Sequence, residues 1–169
     1  MNFASLEPPY LYLSIASAKQ FGEYAYRLNY ENSSRLAVRV VRGNKMRRLD
    51  DLYDEFAAAL QFPEYFGENW DAFDECLADL EWLPAPAYVL LISNAVEVLS
   101  GEPEKQFATF VRILSGICAE WARAETPKPF HVLLQCAESD VETLRRRGQS
   151  TLDSVPVSQL TAASLTRRS

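Results

Sequence analysis

The side chains best placed to do chemistry are the acids between residues 62 and 81. They sit in a segment that runs Phe62-Pro63-Glu64-Tyr65-Phe66-Gly67-Glu68-Asn69-Trp70-Asp71 and on to Glu81. Spacing predicts a helix over residues 69–80. At about 100° per residue, Trp70, Phe73, Leu77 and Leu80 fall within about 80° of one another, with Cys76 at the edge. Asp71, Asp74, Glu75 and Asp79 take the other side, with Ala78 among them. Asp71 and Glu75 stand one turn apart, about 6 Å, close to the spacing of successive phosphates in a nucleic-acid backbone. Such carboxylates can hold a cationic partner, bind Mg²⁺ or form an acid/base pair. Neighbouring like charges repel by a few tenths of a kcal/mol per pair, so a face shaped only for stability would include lysines. This one has none.

The catalytic reading lacks support elsewhere in the chain. Acids on an exposed helix face are well solvated, whereas a general acid needs a buried, perturbed carboxyl. No Gly-rich phosphate loop, HExxH or GxSxG occurs. The single histidine, His131, falls inside an apolar run and reads as core. Cys76, Cys118 and Cys136 are far apart and form no CxxC pair, which suits reduced, buried thiols better than zinc or a disulfide scaffold. No metal and no cofactor is expected.

Charge is distributed unevenly. The formal net charge is −6, yet residues 49–104 hold 14 acids and no Lys or Arg. Residues 1–48 carry 8 basic and 3 acidic side chains, and residues 105–169 carry 9 and 6. Nucleic acid is excluded as a ligand of the acidic middle, because a phosphate backbone needs clustered cations. The composition, 48% hydrophobic and 24% charged, is that of a globular protein. Residues 1–9 lack the pattern of a signal peptide, and no apolar run approaches the ~20 residues of a membrane span. The expectation is a cytoplasmic protein.

The elements that must position the acidic helix can be read in order. Tyr10 to Ile15 is a short apolar run, and Ala18 to Leu28 a candidate helix. Leu36 to Val41 reads as a strand closed by Arg42-Gly43-Asn44. Asp50 to Leu60 is helical, and Tyr88 to Ile92 is a buried strand. A long helix follows from Pro103 to about Ala124, then a last buried strand, Phe130 to Cys136. Crossovers of this length favour parallel strands and an α/β fold. Glu31-Asn32-Ser33-Ser34 is the best boundary, which separates an N-terminal extension, 1–35, from a domain, 36–137. Residues 138–169 form a C-terminal extension. Its Arg145-Arg146-Arg147 run reads as a solvated helix end, and 149–169 as a weakly patterned tail that frays.

Phe62-Pro63-x-Tyr65-Phe66-Gly67-x-Asn69-x-Asp71-Ala72-x-x-x-Cys76-Leu77, with Val40-Val41-Arg42-Gly43 before it, resembles the core motif of barstar-like proteins, intracellular inhibitors of secreted microbial ribonucleases. The resemblance covers roughly residues 36–136. It implies a small parallel three-stranded sheet packed with helices, to which residues 1–35 either add a strand and helix or contribute self-association. It also implies a non-enzymatic function, the occlusion of a basic ribonuclease active site by the helix and its preceding loop. By position, Tyr65, Phe66, Gly67 and Glu68 belong to the docking loop, Asn69 to the helix start, and Asp71 to the first interface carboxylate. Glu75 stands where the best-known members place an aspartate, Asp74 where an aromatic is familiar, and Ala78 where a hydroxyl is; Asp79 lies on the rim. Three other readings stand beside it: an immunity protein of this fold against a different basic toxin, a carboxylate or metal-dependent hydrolase using the acidic helix, and an interaction module acting through its N-terminal segment.

Overall fold

A computed structural model of the protein describes residues 1–160. The chain runs β1 (Leu11–Ile15), α1 (Ala18–Asn32), β2 (Ala37–Arg42), α2 (Leu49–Leu60), α3 (Trp70–Asp79), β3 (Tyr88–Ser93), α4 (Glu104–Arg123), β4 (Phe130–Cys136), α5 (Val141–Gly148), α6 (Ser150–Asp153) and β5 (Val157–Gln159), with short 3-10 turns between some of them. The expected strands and the three central helices are present, with ends that move by one or two residues.

Residues 1–35 add a strand, β1, and a helix, α1, which was one of their two expected roles, and the C-terminal extension adds a strand that was not expected. The sheet therefore has five parallel strands in the order β2-β3-β4-β1-β5, rather than three. The reason lies in β4, whose seven residues are all buried. A buried strand with an open edge would leave backbone donors and acceptors unpaired, each at a cost comparable to a lost hydrogen bond. Strand β1 closes that edge in parallel register, Leu11 opposite Val132 through Ile15 opposite Cys136. The N–H of Val132 donates to Tyr10 O at 2.9 Å, and that of Ala16 to Cys136 O at 3.3 Å. The expected tail also differs: residues 150–160 supply α6 and β5, and β5 pairs with β1 from Leu13–Val157 to Ile15–Gln159. Residues 161–169 of that tail lie outside the described residues.

Two apolar layers cover the sheet. One joins α2, α3, α4, α5 and α6 to Leu13, Val41, Leu90, Ile92, Val132 and Leu134. The other sets Phe21, Tyr24 and Ala25 of α1, with Phe3, against Val38, Val89, Leu91 and Leu133. Alternation along each strand sorts its side chains between the layers. Helix α4 is the longest, at 20 residues with eight buried. At Gly43 a Cβ would collide with the carbonyl oxygens of Ser93 and Asn94. Only glycine lets the turn after β2 approach the end of β3 so closely.

His131 is fully buried in β4, as its apolar surroundings in the sequence suggest. The rings of Phe3, Tyr10 and Tyr12 surround it at 5.7, 5.9 and 6.2 Å between centroids. Nε2 lies 3.0 Å from Ser5 O, and Nδ1 has no hydrogen-bond partner among the described residues. Burial holds its pKa below the ordinary value of 6.5, against the opposing pull of the Ser5 and Tyr10 backbone. The unfolded chain therefore binds this proton more tightly, so stability present above pH 6.5 declines as pH falls through the folded-state value.

Two outcomes follow. Leu13→Ala, which truncates a fully buried side chain in β1, should cost about 2–5 kcal/mol in urea unfolding; a loss well under 1 kcal/mol would contradict a central β1. Between pH 7 and 5 the melting temperature should fall more steeply for wild type than for His131→Gln. Parallel profiles would show that His131 contributes nothing to the slope.

Candidate acidic interface

The site is built from the inside outward. Tyr53 and Phe56 of α2 meet Trp70 and Phe73 of α3 in an aromatic seam, with Tyr53–Trp70 centroids 5.6 Å apart and Phe56–Phe73 4.9 Å apart. Edge-on ring packing of this kind adds about 0.5–1.5 kcal/mol per pair to the area buried. Phe73, Cys76, Leu77 and Leu80 are buried, and Trp70 is half-buried with its indole N–H donating to Gln106 Oε1 at 3.0 Å. The indole of Trp121 donates to Leu77 O at 2.9 Å, and that of Trp82 to Leu60 O at 2.9 Å. Helix α3 is thus pinned near both ends.

The opposite face is as the spacing expects. Asp71, Asp74, Glu75 and Asp79 are all exposed. The structure adds a contrast that the charge count cannot show. Elsewhere in the acidic block, arginines from outside it neutralise Glu55 (Arg42, 2.7 Å), Glu97 (Arg47, 3.4 Å) and Glu104 (Arg146). The Arg42 guanidinium holds the Glu55 carboxyl below the usual carboxylate range, outweighing partial burial. Among the described residues, no cation pairs with any of the four α3 carboxylates. Asp50, Asp51 and Asp54 of α2 are also exposed and outside any ion pair among the described residues, but α3 sets four such carboxylates on one helix face.

The loop before α3 carries its own constraints. Asn69 caps the helix: its Oδ1 accepts from the Ala72 N–H at 3.0 Å, and its Nδ2 donates to Gly67 O at 3.0 Å. Glu68 is exposed and takes a left-handed φ of 48°, unusual for a residue with a Cβ. Tyr65 is 77% exposed, an aromatic ring offered to solvent beside the helix start. Two expected surface positions differ. Phe66 turns inward and packs on Tyr53 and Phe62, with centroids 5.7 and 5.0 Å away, because the turn closed by Phe66 N–H to Pro63 O aims it at the seam. Ala78 is half-buried against the core, at the border of the two faces. Gly67 and Glu68 stay at the surface.

Other groups take different roles. Cys76, Cys118 and Cys136 are free and buried. The Cys76 thiol is pushed up chiefly by burial and also by Asp79 and Glu75, which opposes thiolate formation. Among the described residues, no group of three or more His, Cys, Asp or Glu is arranged to hold a metal. An open depression of about 470 Å³ lies where β1, β4 and β5 end, beside Ser17 and Gln20. There the Ser17 and Gln20 side chains bond each other's backbone N–H groups, so these first-turn donors are already used. No helix among the described residues is long and apolar enough to cross a membrane. Trp82 is half-buried, with its indole N–H on Leu60 O. The sequence missed Gln106 and Arg147; no local pattern marks a polar residue that bonds across helices.

The chain matches Barstar (barnase inhibitor) over residues 36–135, which include the whole of α3 and its loop. It belongs to that family. Three solved structures are similar in fold alone. The Aeropyrum Pernix ORC2 protein in its ADP form has a TM-score of 0.64 at 9% identity, over 91% of this chain and 43% of that one. Drosophila ORC bound to GC-rich DNA and Cdc6 gives 0.52 at 16%, over 89% and 49%. The AT-rich DNA complex gives 0.50 at 19%, over 88% and 47%. The chain spans less than half the length of each of these structures.

Asn69→Ala should lower stability by about 1 kcal/mol in urea unfolding, the usual loss of a helix cap. No change would mean that the loop does not hold α3 through this residue.

Proposed function

We propose that this protein is a non-catalytic cytoplasmic inhibitor of a basic ribonuclease, with α3 and its preceding loop as the blocking surface. The observation that carries the reading is the coincidence of the barstar family match with the one helix whose four carboxylates have no cationic partner among the described residues. A ribonuclease must offer Lys, Arg or protonated His to an RNA phosphate, so its cleft is a positive field. Asp71 and Glu75 would enter that cleft and set the dissociation rate. Glu64, Glu68 and Asp79 at the periphery would mainly raise the association rate. Tyr65 supplies an exposed ring for apolar contact. Because α3 is pinned by its tryptophans, little ordering cost is added on binding. The acidic face would itself repel nucleic acid, and the mode of action needs no membrane, cofactor or metal.

A second reading keeps this mode and changes the target. Asp74, Glu75 and Ala78 replace the aromatic, aspartate and hydroxyl familiar in the family. Those replacements favour a partner with a cationic rather than an apolar contact beside the helix, which includes basic toxins other than ribonucleases.

Capture from a cell extract at low salt and at about 0.5 M salt tests both, because the higher salt screens exposed charge within a few Å. A basic nuclease whose activity falls with added protein is the expected result; a captured basic toxin without nuclease activity would select the second reading. Asp71→Ala with Glu75→Ala should weaken the complex at least about a hundredfold, about 2.7 kcal/mol. Full retention of the partner by that double variant would overturn both.

A further inference from the structure

Helix α5 lies beyond the residues that match the family. The sequence suggests that its three arginines are a solvated helix end, yet Arg147 is only 7% exposed. Its guanidinium donates to Val96 O at 2.8 Å and Val98 O at 2.7 Å, and its Cζ lies 4.3 Å from the Phe107 ring centroid. Among the described residues, no carboxylate forms an ion pair with it. A cation taken from water without an ion partner is costly unless its donors are satisfied. Burial accordingly draws the Arg147 pKa below its usual value, the nearby Glu104 opposing this in part. Next to it, Arg146 pairs with Glu104. Helix α5 therefore grips the first turn of α4 at Glu104 and Phe107, and the loop leading into it at Val96 and Val98. Within that first turn, between Glu104 and Phe107, sits Gln106, whose Oε1 accepts the Trp70 indole N–H.

We propose that α5 is a brace for the acidic helix and that Arg147 is a positioning residue. It fixes the first turn of α4 and, through Gln106, holds Trp70 and the end of α3 that carries Asp71. The consequence for binding rests on the proposed function, whereas the brace is a property of the free protein. The other α3 anchor, Trp121 to Leu77 O, leaves α4 from a point 15 residues along the helix, about 22 Å from Gln106.

The three tryptophan indoles make the brace measurable in the full-length chain by hydrogen exchange of their N–H groups. Arg147→Met should speed exchange at Trp70 at least tenfold and leave Trp82 and Trp121 within about twofold. Arg147→Lys, which keeps a donor, should restore part of the protection and carries the test if the methionine variant does not fold. Gln106→Ala should reproduce the Trp70 effect, and adding Arg147→Met to it should speed Trp70 no further. Equal acceleration at all three indoles, no change at Trp70, or full additivity of the two substitutions would overturn the brace. Failure of the unsubstituted protein to bind any basic nuclease or toxin would instead overturn the proposed function, whatever the exchange rates.

Discussion

The architecture depends on the aromatic seam between α2 and α3. Four like-charged side chains crowd the outer face of α3, and their mutual repulsion would weaken a free helix of ten residues. Burial on the inner face outweighs it. Phe73 and Leu77 are fully buried, Cys76 nearly so, and Trp70 packs edge-on against Tyr53 and Phe73. Burying one large apolar side chain is worth about 1.5–3 kcal/mol, against tenths for each repulsive pair. The seam lets the outer face stay charged without internal neutralisation, and that is the condition for binding a cationic partner.

Where neutralisation does occur is equally informative. The arginines that pair with Glu55, Glu97 and Glu104 tie the acidic block to the turn after β2 and to α5. Such exposed pairs contribute little stability each, generally under 1 kcal/mol. They leave α3 with no neutralised carboxylate among the described residues, whereas α2 has one paired acid, Glu55, beside the exposed and unpaired Asp50, Asp51 and Asp54. The fold around this surface is an enlarged one. Strands β1 and β5 and helices α1, α5 and α6 surround the family region and extend its sheet, giving an outline shared with a portion of the ORC structures.

Much of the site was legible from spacing alone. The 3.6-residue period separated Phe73 and Leu77 from Asp71 and Glu75, and the helix ends were within a residue of those observed. Positions at the border were not. A helical wheel cannot place Ala78, which is small enough to sit on either side, nor Phe66, whose direction depends on a turn outside the helix. Arg147 failed for a different reason. Arginine at a helix end is usually solvated, and only the carbonyls of Val96 and Val98, about fifty residues away in the chain, satisfy its donors well enough to bury it.

By itself the sequence determined the local elements, the amphipathic division of α3, the block without basic residues, and a motif specific enough to name a family. These are properties of neighbours along the chain. The tertiary structure decided what depends on distant pairing: that β1 closes the edge of β4, that a three-residue strand from the supposed tail joins the sheet, and which acids keep a free charge. Hydrogen bonds between parallel strands and contacts such as Trp70 to Gln106 join residues far apart in sequence, so they leave no periodic trace in it. The net charge was written in the composition, but the exposure of the four α3 carboxylates as one unpaired face is a consequence of folding.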